Sequence, residues 1–200
     1  GVVIEYPGMV LDDASRTVAL GPIVAGGPVR VAFIGSGNYA SQVLIPAFAE
    51  TSASLHSICS MAGVSAMRIG RKFGIATATT SVADALQSGD SNTVVISTRH
   101  DSHAEYVCSA LASGKHVFVE KPLALNSDEL RAIQVAHAKS GGGLAVMVGF
   151  NRRFAPHVIE MKRLLASRAE PPSMIMTVNA GAIPAEHWTQ DPAVGGGRII

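Results

Sequence analysis

Residues 31–40, VAFIGSGNYA, constrain this chain more than any other stretch. A short apolar run meets a glycine-rich turn, and apolar residues then recur at helical spacing. Val31, Phe33 and Ile34 suit a strand buried on both faces, and Gly35, Gly37 and Ala40 form a G-x-G-x-x-A pattern directly behind it. In such a pattern Gly35 permits the tight turn, Gly37 lets backbone approach a pyrophosphate, and Ala40 lets the helix pack close to the strand. The helix start then offers free N–H groups to phosphates. Val43, Leu44, Ala47 and Phe48 continue the apolar spacing from Ala40, and Pro46, which lacks an N–H, is expected to bend the helix in its later turns. Glycine turns are common and methyltransferases use similar ones. The strand before and the helix after are what favour dinucleotide binding, with Gly35, Gly37, Asn38 and Tyr39 as the candidate contacts.

The second strand is expected at 54–60, SLHSICS, with Leu55 and Ile58 in the core. Its end decides how an adenosine ribose would be held, because an Asp or Glu about 20 residues past the glycines normally bonds the ribose hydroxyls. Here the end reads Cys59-Ser60-Met61, without an acid. Ser60 is therefore the ribose candidate. Arg68, Arg71 and Lys72 on the next helix are either cations for a 2′-phosphate or a solvated face, so both NAD and NADP remain open as cofactors.

Further strands are expected at 93–97, 115–119 and 144–148, and helix starts at Ser81-x-x-Asp84, Ser102 with Glu105, and Asn126 with Glu129. The loop Thr98-Arg99-His100-Asp101 follows a strand end, where ligands of open α/β sheets bind. Thr98, Arg99, His100 and the nearby His103 are thus cofactor candidates, with solvated side chains as the other reading of the two histidines. Two histidines without a third ligand at a recognisable spacing make a poor metal site, so no metal is expected. Glu120-Lys121-Pro122 sits at the end of the 115–119 strand. A surface ion pair would explain the two charges, whereas a partly buried Lys121 aimed at a substrate could exchange a proton near neutral pH.

The strand and helix alternation fits an α/β doubly wound parallel sheet. At 173–179, SMIMTVN, the apolar period changes to two, which predicts a half-buried strand of a different, antiparallel sheet. Residues 1–29 are read as a linker or the end of an upstream domain, 30–151 as a dinucleotide-binding Rossmann domain, and 152–200 as the start of an incomplete α+β domain for substrate and oligomer contacts. Beginning at Gly1 and ending at Ile199-Ile200, the chain reads as a piece of something longer.

Sixteen basic and fifteen acidic residues give a net charge of +1, so neither nucleic acid nor an anionic membrane is expected as a partner. No apolar run is long enough to span a bilayer. Cys59 and Cys108 lack metal or redox spacing and read as reduced thiols of a cytoplasmic protein.

Over roughly residues 30–200 the sequence resembles the glucose-fructose oxidoreductase, inositol dehydrogenase and rhizopine-catabolism family (Gfo/Idh/MocA). The resemblance rests on GSGNYA at 35–40, ISTRHDSHAEYVCSALASGKHVFVEKPLAL at 96–125, GFNRRF at 149–154 and the cluster Gly195-Gly196-Gly197. TRHDSHA and HWTQDPAVGGGRII look more narrowly like bi-domain oxidoreductases, in which a zinc-type alcohol dehydrogenase region precedes this module, and GVVIEYPG resembles the end of such a region. The resemblance implies a nicotinamide-dependent dehydrogenase of sugars, cyclitols or related polyols, homo-oligomeric when complete. It implies that Lys121 contacts the reacting hydroxyl or carbonyl, often beside a cis Pro122. It further implies that Thr98, His103, Glu120 and Arg152 line the cofactor and that Trp188 approaches it. The family's Asp and His that complete the catalytic set would lie beyond Ile200. Two rival functions are a non-catalytic dinucleotide-binding regulatory module and a redox-assisted glycoside hydrolase.

Overall fold

The computed structural model describes residues 16–22, 28–179 and 181–197. The expected readings of GVVIEYPG, of much of the glycine-proline stretch before Pro28, and of the Ile199-Ile200 ending lie outside the described residues. The chain divides into two compact units, Gly1–Ser91 and Asn92–Ile200.

The first unit is built on β2 (Arg30–Ile34), whose Val31 to Ile34 are fully buried. This is the central strand that the apolar run requires, since a parallel strand covered on both faces has no polar side. β3 (Ser54–Cys59) runs parallel to it, β4 (Thr77–Thr79) parallel to β3, and β1 (Thr17–Ala19) antiparallel at the edge, giving the order β1-β4-β3-β2. The connections are α1 (Ile45–Ala49), α2 (Gly63–Phe73) and α3 (Val82–Gln87). β1 falls inside the stretch read as a linker. Three residues are too few to register a period, and Thr17–Ala19 becomes a strand because β4 offers it a ladder.

The helix after the glycines, in which Pro46 was expected to act on the later turns, is irregular ahead of the proline. Ala40–Leu44 forms a π-type turn that passes into α1, with Pro46 in the first turn of α1. Ile45 N–H donates to the Ala40 carbonyl five residues back. An ordinary helix would put the proline ring against the Gln42 carbonyl with no N–H to bond it, and widening the preceding turn removes that clash.

In the second unit, β5 (Thr93–Ile96), β6 (His116–Val119) and β7 (Val146–Val148) are parallel neighbours in that order. α4 (His103–Ala112) and α5 (Ser127–Lys139) make the crossovers, and α6 (Pro156–Leu165) follows. The N-cap of α5 forms as the sequence predicts. Asn126 Oδ1 accepts from Glu129 N–H at 2.9 Å, while the Glu129 carboxylate accepts from Leu125 N–H and from Asn126 Nδ2. Ser81 likewise caps α3 by accepting from Asp84 N–H. The Ser102–Glu105 box does not form. Ser102 Oγ donates to the Arg99 carbonyl instead, closing a 3-10 turn over His100–Ser102.

Residues 173–179 are not a strand. They have no regular structure, and Met174, Ile175, Met176 and Val178 are exposed. An isolated strand leaves its ladder groups unbonded, and no partner strand for this segment occurs among the described residues. The architecture is thus the α/β one that the alternation implied, with parallel strands throughout except β1.

Candidate active site

The glycine turn belongs to the first unit. Gly35 adopts φ 107°, a conformation only glycine takes readily, and its N–H donates to the Cys59 carbonyl at 2.9 Å, which ties the turn to the end of β3. A Cβ on Gly37 would meet no atom within 4 Å. The fold itself therefore does not demand a glycine there. Open space over a bare backbone is what close approach by a phosphate group requires, so this turn fits a dinucleotide. Ala40 is buried behind it as expected, while Asn38 and Tyr39 are exposed.

Ser60 stands at the end of β3 with its N–H on the Thr79 carbonyl. Its hydroxyl lies 3.2 Å from that of Ser65, which in turn lies 2.7 Å from that of Ser36. Ser36 and Ser65 line a cleft of about 310 Å³ together with Asn38, Arg68 and Lys72, and Ser60 stands behind Ser65. Sequence reasoning passed over Ser36 and Ser65. Ser36, lying between the two glycines of the turn, was the available signal.

The second unit carries the lysine corner. Glu120 N–H donates to the Ile96 carbonyl, continuing the β6 ladder, and the Lys121–Pro122 bond is cis. His103 is completely buried. Its Nδ1 lies 2.7 Å from the Pro122 carbonyl and its Nε2 3.2 Å from that of Thr98. A neutral ring donates through only one nitrogen, but both face backbone oxygen, so His103 is a bolt between the Thr98 loop and the Lys121 corner. It is neither the solvated nor the cofactor-facing histidine that its sequence position suggested, and its ring has no nitrogen left for a metal.

Glu120 and Lys121 form no ion pair. The Glu120 carboxylate accepts from Lys121 N–H at 3.3 Å, and burial pushes its pKa above the ordinary glutamate value despite the neighbouring Lys121 and His103. Gly149 explains how a carboxylate fits there, since a Cβ on Gly149 would stand 2.6 Å from Glu120 Oε1. Lys121 itself is exposed, so the partial burial expected of it is not present. Its ammonium projects from a corner whose backbone is fixed beneath it.

The 188–197 segment docks on the loop after β5. His100 Nδ1 donates to the Gly195 carbonyl at 2.8 Å, and Asp101 N–H donates to the Val194 carbonyl at 3.1 Å. Trp188 packs edge-on against the His100 ring at 4.7 Å, with the Arg99 guanidinium 5.8 Å from its ring. Burial holds the His100 pKa below the ordinary histidine value; the Gly195 bond and Asp101 oppose this, and His103 and Lys121 reinforce it. Thr98 Oγ1 pairs with Ser102 Oγ at 2.7 Å. Arg152 is exposed in a 3-10 turn, Asn151–Phe154, and among the described residues no hydrogen bond, ion pair or ring contact joins it to this group. Structure thus gathers Thr98, Arg99, His100, His103 and Trp188 and leaves Arg152 apart.

A model of the oxidoreductase family with an NAD-binding Rossmann fold, Gfo/Idh/MocA, matches residues 29–150. The chain belongs to this family. That is the family which the glycine turn and the Glu120-Lys121-Pro122 corner suggested, and its NAD-binding fold agrees with the expected nicotinamide cofactor. Among relatives, the 1,5-anhydro-D-fructose reductase of Ensifer adhaerens is 28% identical over 177 residues, covering 86% of this chain and 52% of the reductase. The scyllo-inositol dehydrogenase of Lactobacillus casei, solved with NAD(H) and scyllo-inositol, matches with a TM-score of 0.64 at 25% identity, over 69% of this chain and 41% of its own. A mutant of KijD10, a 3-ketoreductase from Actinomadura kijaniata solved with TDP-benzene and NADP, matches with a TM-score of 0.69 at 25% identity, over 86% and 53%. The chain therefore spans about half the length of the reductase and the ketoreductase, and less of the dehydrogenase. Among the described residues no helix is long and apolar enough to cross a membrane.

Proposed function

We propose that this chain carries the cofactor-binding part and the proton-transfer lysine of an NAD(P)-dependent oxidoreductase acting on the CH–OH group of a sugar, cyclitol or related polyol. The single observation behind the reading is the lysine corner. Lys121 reaches into solvent from the carboxyl end of parallel β6, while His103 and Glu120 hold the backbone beneath it. Strand ends of this kind are where ligands of α/β sheets bind.

When bound, a nicotinamide supplies the hydride acceptor or donor. The chain's own residues do the rest. A secondary alcohol releases no hydride unless its O–H proton leaves in the same event, and Lys121 Nζ takes that proton in oxidation and returns it in reduction. Gly35, Gly37, Asn38 and Tyr39 receive the pyrophosphate side of the cofactor, and Ser60 the adenosine ribose. Thr98, Arg99, His100, Glu120, Arg152 and Trp188 are assigned to the nicotinamide side, with His103 acting through the backbone that it ties. The same reading makes 30–151 the dinucleotide-binding domain and 152–200 part of a substrate and oligomer domain, in a homo-oligomer of the cytoplasm.

Lys121→Met tests the assignment, assayed by nicotinamide reduction over a panel of sugars and cyclitols. Turnover is expected to fall about 10²- to 10⁴-fold with dinucleotide affinity unchanged. Near-normal turnover would remove Lys121 from the mechanism. Dinucleotide binding without turnover on any polyol would favour the regulatory-module alternative.

A further inference from the structure

The cleft beside the glycine turn carries an inference that rests on the nicotinamide reading and goes past it. Its lining includes Ser36, Asn38, Ser41, Gln42, Ser65, Arg68 and Lys72, and no carboxylate. α2, which forms one wall, contains no acidic residue at all. Arg68 and Lys72 lie one turn apart on this wall, an arrangement of like charges that disfavours a helix. Neither forms an ion pair among the described residues, and Lys72 instead lies 5.0 Å from the ring of Phe73.

The hydroxyls point the same way. Ser65 Oγ donates to the Ala62 carbonyl at 2.7 Å, so its proton is spent and Ser36 and Ser60 donate to it. Hydroxyls rotate freely about their C–O bonds, which lets Ser36, on the lining, turn toward an acceptor entering the cleft. Two cations, a convertible donor and no acid are a poor fit to a ribose diol, which calls for a carboxylate. They are a good fit to a phosphate monoester, which an arginine fork grips bidentately.

We propose that this cleft receives the 2′-phosphate of NADP(H), with Arg68 as the bidentate contact, Lys72 as the second cation and Ser36 as a donor, so that the chain selects NADP(H) over NAD(H). Arg68 is exposed, and its replacement leaves the core intact. Calorimetric titration of the chain and of Arg68→Ala with NADPH, NADH and inorganic phosphate tests the assignment without recourse to turnover. NADPH is expected to bind at least 10-fold more tightly than NADH, and Arg68→Ala to weaken NADPH about 10- to 100-fold while leaving NADH unchanged. Lys72→Ala gives a smaller loss of the same selectivity. Equal or tighter NADH binding, or an Arg68→Ala loss shared equally by both dinucleotides, overturns the assignment and leaves the nicotinamide reading standing. Inorganic phosphate displacing NADPH no better than chloride supports a site that needs the whole dinucleotide; phosphate binding as tightly as NADPH reduces the cleft to an anion site and overturns it. Binding of neither dinucleotide overturns both readings.

Discussion

Gly195 lies buried inside the 188–197 segment, and adding one methyl group to it should release that segment from the loop after β5. A Cβ at this position would sit 2.6 Å from both the carbonyl carbon and the oxygen of Thr189. That is about 1 Å inside contact distance, and the obstacle is backbone, which cannot rotate away as a side chain does. The same backbone is pinned by Gly197 N–H on the Thr189 carbonyl at 3.0 Å and by Gly195 N–H on Asp191 at 2.8 Å. Overpacking of this kind costs about 1–3 kcal/mol. Against it stand the two docking hydrogen bonds, His100 to Gly195 and Asp101 to Val194, and the Trp188–His100 ring contact. At about 1 kcal/mol for each, docking is worth about 3 kcal/mol. Gly195→Ala therefore raises the open fraction of the segment from below about 1% to between about 3% and 50%. Trp188 is the chain's single tryptophan, so its fluorescence reports on this segment alone. The variant is expected to show a red-shifted emission and increased acrylamide quenching, with the far-UV spectrum of the α/β units unchanged. Wild-type emission and quenching in Gly195→Ala would refute the docking argument.

The same tryptophan reads the protonation of His100. Because burial depresses the His100 pKa, Trp188 emission should titrate with a midpoint below the ordinary histidine value of 6.5, and His100→Ala should abolish the transition. The folded pKa lies below the unfolded one, so the stability contributed by neutral His100 is present above about pH 6.5 and lost as pH falls through the folded pKa. Ser57 Oγ is buried with no hydrogen-bond partner among the described residues, and Ser57→Ala is expected to raise stability by about 1–2 kcal/mol in a denaturant titration; a loss of that size would mean that the hydroxyl is satisfied. Cys59 is 1% exposed, and burial, with a smaller push from Asp84, raises its pKa from 9.0 to about 11. Native protein should resist iodoacetamide at Cys59 at pH 8, mass spectrometry showing modification only after unfolding. Since the folded state keeps the thiol proton longer, stability should also fall between pH 9 and pH 11, on the order of 2–3 kcal/mol, and that slope should vanish in Cys59→Ala.

What the sequence made legible of the fold was whatever repeats or is chemically marked. β2 was legible because four successive apolar residues behind a G-x-G turn have few other uses, and α5 because Asn126 and Glu129 bond reciprocally at its start. β1 and β4 were not, since three-residue strands of Thr, Ala and Val carry no period, and they form through the ladders of their neighbours, β4 on β3 and β1 on β4. The 173–179 segment shows the converse. Its alternation is plain, but alternation says only which face a strand would bury, and a ladder needs a partner that the described residues do not supply.

The site divides the same way, between what residue types announce and what tertiary contact decides. Gly35, Gly37 and the Glu120-Lys121-Pro122 corner announce themselves because each breaks the pattern of the apolar run it ends. His103 could not be assigned from its place in TRHDSHA, because a histidine beside a strand end reads the same whether it faces solvent, a cofactor or two carbonyls. Only the fold brings the Thr98 and Pro122 carbonyls, 24 residues apart in the chain, to opposite sides of one ring. The consequence reaches Lys121. An exposed ammonium on an unsupported loop would sample many positions, whereas a proton-transfer group has to be held close to one. With His103 under the Pro122 carbonyl, and with Gly149 lacking the Cβ that would evict the Glu120 carboxylate, the mobility left to Lys121 lies in its side chain rather than in the backbone that carries it.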